Sequence, residues 1–360
     1  MKTKIVIIDK ASFQDEELWE AAKILRSGGL VAFPTETVYG LGANALDEEA
    51  AAKIYGAKGR PSDNPLIAHI SAMEELLPLV TEISQAGRRL MEAYWPGPLT
   101  LILPKSSMVP FKTTGGLSTV AVRMPGDPVA NRLIKLAGVP IAAPSANASG
   151  RPSPTTAEHV YQDMDGKIEM IVDGGPVGIG VESTIVDVTG PVPIMLRPGA
   201  VTLEMLKSTV GQVEMDPAIA GPVAADVKPK APGMKYRHYA PKAELVLVEE
   251  EGSGQGQGEV SLKAVEAIRA MTLDQLSRGR KVGIICTDET KGRYPKEAEI
   301  RSLGPKDSQE AIARNLFGVL REFDSLEVTL IYSESFPKDH LGQAIMNRLT
   351  KAAGYHIIKV

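Results

Sequence analysis

An α/β fold in two domains is what this sequence predicts, and three observations predict it. Short apolar runs alternate with amphipathic stripes at helical spacing along nearly all of the 360 residues. A stretch rich in Ala, Pro and Gly, residues 218–232, interrupts that alternation and has neither period. Beyond residue 243 the pattern resumes as strand, helix, strand, the signature of a small doubly wound parallel sheet. The boundaries are a first domain over 1–212 with a twisted mixed sheet, a linker over 213–242, and a second, smaller domain over 243–360.

The elements follow in order. Residues 5–8 are an apolar start that reads as a strand, too short for a signal peptide. Residues 16–27 carry Leu18, Ala21, Ala22, Ile24 and Leu25, a helical stripe stopped by Gly28 and Gly29. Residues 30–33 form a buried strand, and Pro34-Thr35-Glu36-Thr37-Val38-Tyr39-Gly40-Leu41-Gly42 reads as a loop. A helix over 48–56 then delivers the loop Lys58-Gly59-Arg60-Pro61-Ser62-Asp63-Asn64-Pro65 from its C-terminal end. Strands are expected at 66–70, 99–103 and 119–124, with a helix at 83–94 stopped by Trp95-Pro96-Gly97-Pro98. Asp127 caps the next helix, and 140–143 is a strand leading into Pro144-Ser145-Ala146-Asn147-Ala148-Ser149-Gly150. A helix is expected from Ser153, followed by strands at 170–172, 183–188 and 194–196, the last ending on Arg197-Pro198-Gly199. In the second domain, strands fall at 245–248, 282–286, 328–332 and 355–360, and helices at 262–276, from the Ser308 cap, and at 341–353. Gly252 to Gly258 is low in complexity and reads as a flexible loop, since no clean helix start follows it.

Composition excludes several functions. An apolar fraction of 43% with 23% charged residues is ordinary for a globular protein. The formal net charge of −4 confines any nucleic-acid contact to a local patch. A single cysteine, Cys286, rules out disulfides and thiolate zinc sites. No apolar run is long enough to span a bilayer, and a cytoplasmic location is expected. Aromatics at 5% argue against a surface that stacks many bases.

Loop after loop of the first domain carries a cation or a hydroxyl: Thr35, Lys58, Arg60, Ser62, Thr119, Arg123, Ser145, Asn147, Ser153, Ser183 and Arg197. Each sits at a strand end or beside Gly or Pro. Singly, a Ser or Asn at such a place caps or turns the backbone. If the loops meet at one sheet edge they form a concave basic pocket with four permanent cations, suited to a nucleoside triphosphate and a small carboxylate. No Cys–His pair, His pair at metal spacing or carboxylate pair stands beside them. Chemistry there would rest on positioning and electrostatics, as in phosphoryl and nucleotidyl transfer. His69 either touches substrate or is a buried structural histidine.

The runs 34–42, 58–66, 95–100, 144–150, 183–185 and 196–199 together resemble the YrdC-type threonylcarbamoyl-AMP synthases. Pro232-Gly233-Met234-Lys235-Tyr236-Arg237-His238-Tyr239-Ala240-Pro241 resembles the linker of the two-domain form of that family, which pairs a YrdC-like domain with a Rossmann-like one. The resemblance implies a nucleotidyltransferase that turns L-threonine, bicarbonate and ATP into threonylcarbamoyl-AMP and pyrophosphate, for modification of tRNA. N-carboxythreonine would attack the α-phosphorus. By motif, Lys58 and Arg60 are the catalytic residues. Lys58, Ser62, Thr119, Ser145, Asn147, Ser153, Arg197, Tyr236 and His238 would bind ATP. Thr35, His69, Arg123, Ala143 (through its backbone) and Ser183 would bind L-threonine, with Arg123 on its carboxylate. Magnesium is expected on the triphosphate without a protein cage. The linker would close over the site as a lid, with a plain tether as the other reading. A downstream tRNA threonylcarbamoyl transferase complex is the expected partner, with weak direct tRNA contact also open and no membrane. Two rivals remain at this point: an RNA-binding module using the same cations, and a relative that processes carbamoyl phosphate.

Overall fold

The structure, a computed structural model, describes residues 2–219, 221, 229–233, 238–251 and 262–360. The chain divides into two compact units, Met1–Ser149 with Ser153–Lys235, and Gly150–Pro152 with Tyr236–Val360.

In the first unit the elements run β1 (Lys4–Ile7), α1 (Glu16–Arg26), β2 (Val31–Phe33), β3 (Gly40–Asn44), α2 (Glu48–Lys58), β4 (Ile67–His69), α3 (Gln85–Tyr94), β5 (Leu99–Pro104), β6 (Thr119–Arg123), α4 (Pro128–Ala137), β7 (Ile141–Ala142), α5 (Ala157–Met164), β8 (Met170–Asp173), β9 (Thr184–Asp187), β10 (Ile194–Arg197), α6 (Leu203–Val210) and β11 (Glu214–Met215). The strands form one sheet in the order β1-β8-β2-β3-β7-β4-β6-β5-β9-β10-β11. Pairing is mixed: β4 with β6 and β5 with β9 are parallel, while β5 with β6 and β9 with β10 are antiparallel. The predicted mixed sheet is therefore what forms.

The sheet has two faces because side chains alternate along each strand. Leu99, Leu101 and Leu103 of β5 and Val120 and Val122 of β6 point to the large core that also takes Leu90 and Met91 of α3. The opposite face carries Ile67, Ile102, Ala121, Ile185 and Leu196, which cluster with Ala231. The polar residues at the ends of those same strands share this second face.

Four readings need correction. The run 34–42 is not all loop: its end is β3, an antiparallel partner of both β2 and β7. Glycine there is a packing requirement, since a Cβ on Gly42 would lie 2.7 Å from Phe33 and 2.8 Å from Ile141. The helix expected from Ser153 begins at Ala157, because Thr156, not Ser153, accepts from the His159 N–H as its cap. Residues 203–210, not foreseen as regular, form α6 behind a Thr202 cap. In the second unit, residues 299–302, likewise outside the expected elements, form a strand.

That unit holds β12 (Glu244–Glu249), α7 (Leu262–Ser277), β13 (Val282–Cys286), β14 (Glu299–Ser302), α8 (Gln309–Ser325), β15 (Leu330–Glu334), α9 (Gly342–Ala352) and β16 (Ile357–Lys359). Its five strands are all parallel, in the order β14-β13-β15-β12-β16, as a doubly wound sheet requires. Ser308 caps α8 as expected, and Cys286 is a buried free thiol. The Gly252–Gly258 loop lies outside the described residues. No helix among the described residues is long and apolar enough to cross a membrane.

Candidate active site

Strand register assembles the site. His69 of β4 stands opposite Arg123 of β6, Arg123 opposite Thr100 of β5, Thr100 opposite Ile185 of β9, and Ile185 opposite Arg197 of β10. A register shift between Met195 and Arg197 is what brings Arg197 into that row. One line across the sheet thus collects residues that are far apart in sequence.

Arg123 is the centre of the first cluster and is 4% exposed. Its Nε donates to the Gly97 carbonyl at 3.3 Å and its Nη1 to Thr37 Oγ1 at 3.0 Å. Glu36 Oε1 lies 2.8 Å from Nη2 and also accepts from the Gly126 N–H at 3.1 Å. Burial alone would raise the Glu36 carboxyl, but the Arg123 charge and the N–H bonds outweigh it and hold the group below the usual carboxylate range. Thr35 Oγ1 sits 2.8 Å from Thr37 Oγ1 and donates to the Val38 carbonyl at 2.7 Å. His69 is buried, with Nδ1 3.0 Å from the Ile67 carbonyl and its ring edge-on to Phe33. Burial and then the Arg123 charge push its pKa down to about 3, so the ring is neutral. The Ala143 N–H is committed to the Ile67 carbonyl at 2.9 Å, so only its carbonyl could serve a ligand.

A second cluster forms where α2 ends. Asp47 caps the helix start, and Gly59, at φ 62° in the left-handed region, ends it directly after Lys58. Lys58 is 4% exposed, and its Nζ donates to the carbonyls of Ser145 and Asn147. Its own carbonyl accepts from the Ser149 N–H at 2.8 Å. The ammonium and the 144–150 loop are therefore tied at both ends. Arg60 is turned onto its own loop, bonding the carbonyls of Asn64 at 3.3 Å and Pro65 at 3.1 Å. Ser62 is exposed, while Thr119 and Ser145 are half-buried. Asn147 is buried and donates to the Ala148 carbonyl.

The third cluster joins residues expected on different ligands. Arg197 donates through Nε to the Ser183 carbonyl at 3.0 Å and through Nη2 to Ser183 Oγ at 3.2 Å. Ser183 Oγ lies 2.8 Å from Thr100 Oγ1. Arg197 Nη1 also donates to the Pro232 carbonyl at 3.3 Å, and Lys230 Nζ lies 3.6 Å from Asp187. The tail of the stretch read as linker is thus fastened to this sheet. Ser153 is buried and donates to Glu182 at 2.5 Å. Gly199 closes the cluster: a Cβ there would meet the Thr184 backbone N at 2.5 Å and the Glu182 carbonyl at 2.8 Å. Gly199→Ala is expected to cost about 1–3 kcal/mol of stability, read from the denaturant midpoint, because backbone must move to make room.

Glu36, Thr37, Thr100 and Glu182 escaped the sequence reading as site residues. Glu36 and Thr37 lie inside the quoted 34–42 motif, and Glu182 directly precedes Ser183, so adjacency was the available signal. Tyr236 lies outside the described residues. His238 is described, its ring centroid 5.5 Å from that of Tyr239. Among the described residues no group of three or more His, Cys, Asp or Glu side chains is arranged to hold a metal.

Comparison with known proteins places the chain. A family model described as telomere recombination, covering the Sua5, YciO and YrdC proteins, matches residues 23–199. A model described as threonylcarbamoyl-AMP synthase, C-terminal domain, matches residues 201–354. A threonylcarbamoyl-AMP synthase of Pyrococcus abyssi is 49% identical over 356 residues, covering 99% of each chain. One of Bacillus subtilis is 46% identical over 363 residues, covering 100% of each. The crystal structure of Pyrococcus abyssi Sua5 complexed with L-threonine superposes with a TM-score of 0.91 at 49% identity, over 99% of this chain and 100% of that one.

Proposed function

The chain belongs to the threonylcarbamoyl-AMP synthase family, and we propose that the row of buried cations on its first sheet is where the substrates meet. The reaction joins L-threonine, bicarbonate and ATP into threonylcarbamoyl-AMP and pyrophosphate, an AMP transfer that serves tRNA modification. The observation that carries the placement is the register of β4, β6, β5, β9 and β10, which sets Arg123 beside His69 on one side and Ser183 with Arg197 on the other.

In this reading threonine sits at the Arg123 end. Its carboxylate meets the guanidinium, and Thr35, neutral His69, Ser183 and the Ala143 backbone surround the rest. The amine adds to carbon dioxide derived from bicarbonate and releases a proton. The resulting carbamate oxygen attacks the α-phosphorus, a P–O bond forms, and pyrophosphate leaves with the electron pair of the broken P–O bond. Lys58 and Arg60 are assigned to that transfer. Ser62, Thr119, Ser145, Asn147, Ser153 and Arg197 are assigned to the nucleotide. The chain supplies position, positive charge and exclusion of water from a labile intermediate. Magnesium, held by phosphate and water, would shield the triphosphate. The product, a reactive mixed anhydride, would pass to a tRNA threonylcarbamoyl transferase complex.

Pyrophosphate release from ATP with magnesium tests this. Release is expected to need both threonine and bicarbonate, to fall when serine replaces threonine, and to stop when EDTA removes the metal. Release without threonine would require a different acceptor. Release unaffected by EDTA would remove magnesium from the scheme.

A further inference from the structure

Arg123 has five N–H donors. Nε is occupied by Gly97 and one Nη1 hydrogen by Thr37. Nη2 is buried and close to Glu36 Oε1, yet neither it nor Glu36 Oε2 has a hydrogen-bond partner among the described residues. Glu36 is thus near enough for an ion pair but off the line of the Nη2 hydrogens. Its Oε1 faces both Arg123 and the Gly126 N–H.

From this geometry we propose that Glu36 is a positioning residue: it neutralises the buried Arg123 guanidinium and sets the plane in which that group meets the threonine carboxylate. The proposal rests on the reading that Arg123 receives that carboxylate. Physical reasons favour a carboxylate here. A guanidinium that is 4% exposed needs a counter-charge, and Glu36, held ionised, supplies it. A two-pronged Arg–carboxylate bond demands a fixed plane. With Glu36 removed, the head is fastened only through Nε and Nη1, and rotation about the last side-chain torsion is no longer opposed from the Nη2 side. The bonds to Gly97 and Thr37 still join the Trp95–Pro98 turn to the 34–39 loop, but the third hold on the guanidinium is gone.

The test compares Glu36→Gln and Glu36→Ala with Arg123→Lys in the full-length chain, by pyrophosphate release with threonine and ATP each varied. The expected result for both Glu36 variants is a rise in the threonine KM of roughly 10- to 100-fold, the scale of a charge-assisted contact, with the ATP KM within about twofold of wild type. Gln retains an oxygen for Gly126 and keeps the shape, so it guards against an Ala variant that fails to fold. A second readout is the preference for threonine over threoninamide, which lacks the carboxylate. That ratio should shrink in the Glu36 variants, an effect that loosened packing alone would not produce. An unchanged threonine KM in Glu36→Gln beside a raised one in Arg123→Lys overturns the proposal alone. Threonine and ATP KM values that rise together in both Glu36 variants also overturn it. An unchanged threonine KM in Arg123→Lys overturns the assignment of the carboxylate to Arg123, and the proposal with it.

Discussion

Alanine at position 58 is expected to lower kcat/KM for pyrophosphate release by about 30- to 150-fold, or about 2–3 kcal/mol in transition-state stabilisation. Two losses combine. The first is a charge: in the proposed site a buried ammonium would stabilise negative charge on the triphosphate far better than an exposed one does. The second is a tie. Lys58 Nζ holds the Ser145 and Asn147 carbonyls, so its removal frees the 144–150 loop and strands two acceptors. Stability should therefore fall as well, by about 1–3 kcal/mol, read from urea denaturation. Lys58→Arg separates the two. It keeps the charge, but a planar fork cannot reproduce a compact ammonium set between two carbonyls. Activity restored by Arg would mean that the charge matters most. Activity as low as in the Ala variant, with the fold intact, would mean that loop placement matters most. Full turnover in Lys58→Ala would remove Lys58 from the site.

The sequence carried the site's basic residues more clearly than their partners, and the physical reason is locality. Gly59 after Lys58 and Pro198-Gly199 after Arg197 are local signals, because a backbone turn needs those residues whatever lies opposite. Glu36 beside Arg123 and Thr100 beside Ser183 are set by register between strands remote in sequence, and nothing in either segment alone announces the pairing. The same distinction explains the elements. Helix α2 was legible from its stripe and its closing glycine. Strand β3 was not, since Gly-Leu-Gly-Ala-Asn has weak strand propensity and is held by pairing with β2 and β7. Ser153 resembled a helix cap by type and position, yet its hydroxyl is spent on Glu182 and Thr156 caps instead. Strand β14, with only Ile300 apolar among Glu299, Arg301 and Ser302, lacked the alternation that marks a strand.

Acid should destabilise this protein through His69 well before its carboxylates titrate. The folded ring titrates at about 3, against an ordinary value of 6.5 in the unfolded chain. Between those values the unfolded state binds a proton that the folded state refuses. Stability therefore rises with pH across this window and falls as pH drops below about 6.5, at about 1.4 kcal/mol per pH unit. From pH 7 to pH 5 the loss assigned to His69 is about 2 kcal/mol. Glu36 acts in a different window. Its depressed carboxyl contributes stability above the ordinary carboxylate range and loses it as pH falls through the lower folded value, so it is silent between pH 5 and 7. A His69→Gln variant should start less stable at pH 7, because the bond to the Ile67 carbonyl and the edge contact with Phe33 are disturbed. Between pH 7 and pH 5, however, it should lose about 2 kcal/mol less than wild type, so the gap between the two proteins narrows or closes. Urea unfolding at both pH values measures this directly. Parallel pH dependence in the two proteins would mean that His69 is hydrated and titrates freely, and its place as a neutral wall of the threonine pocket would fall with that result.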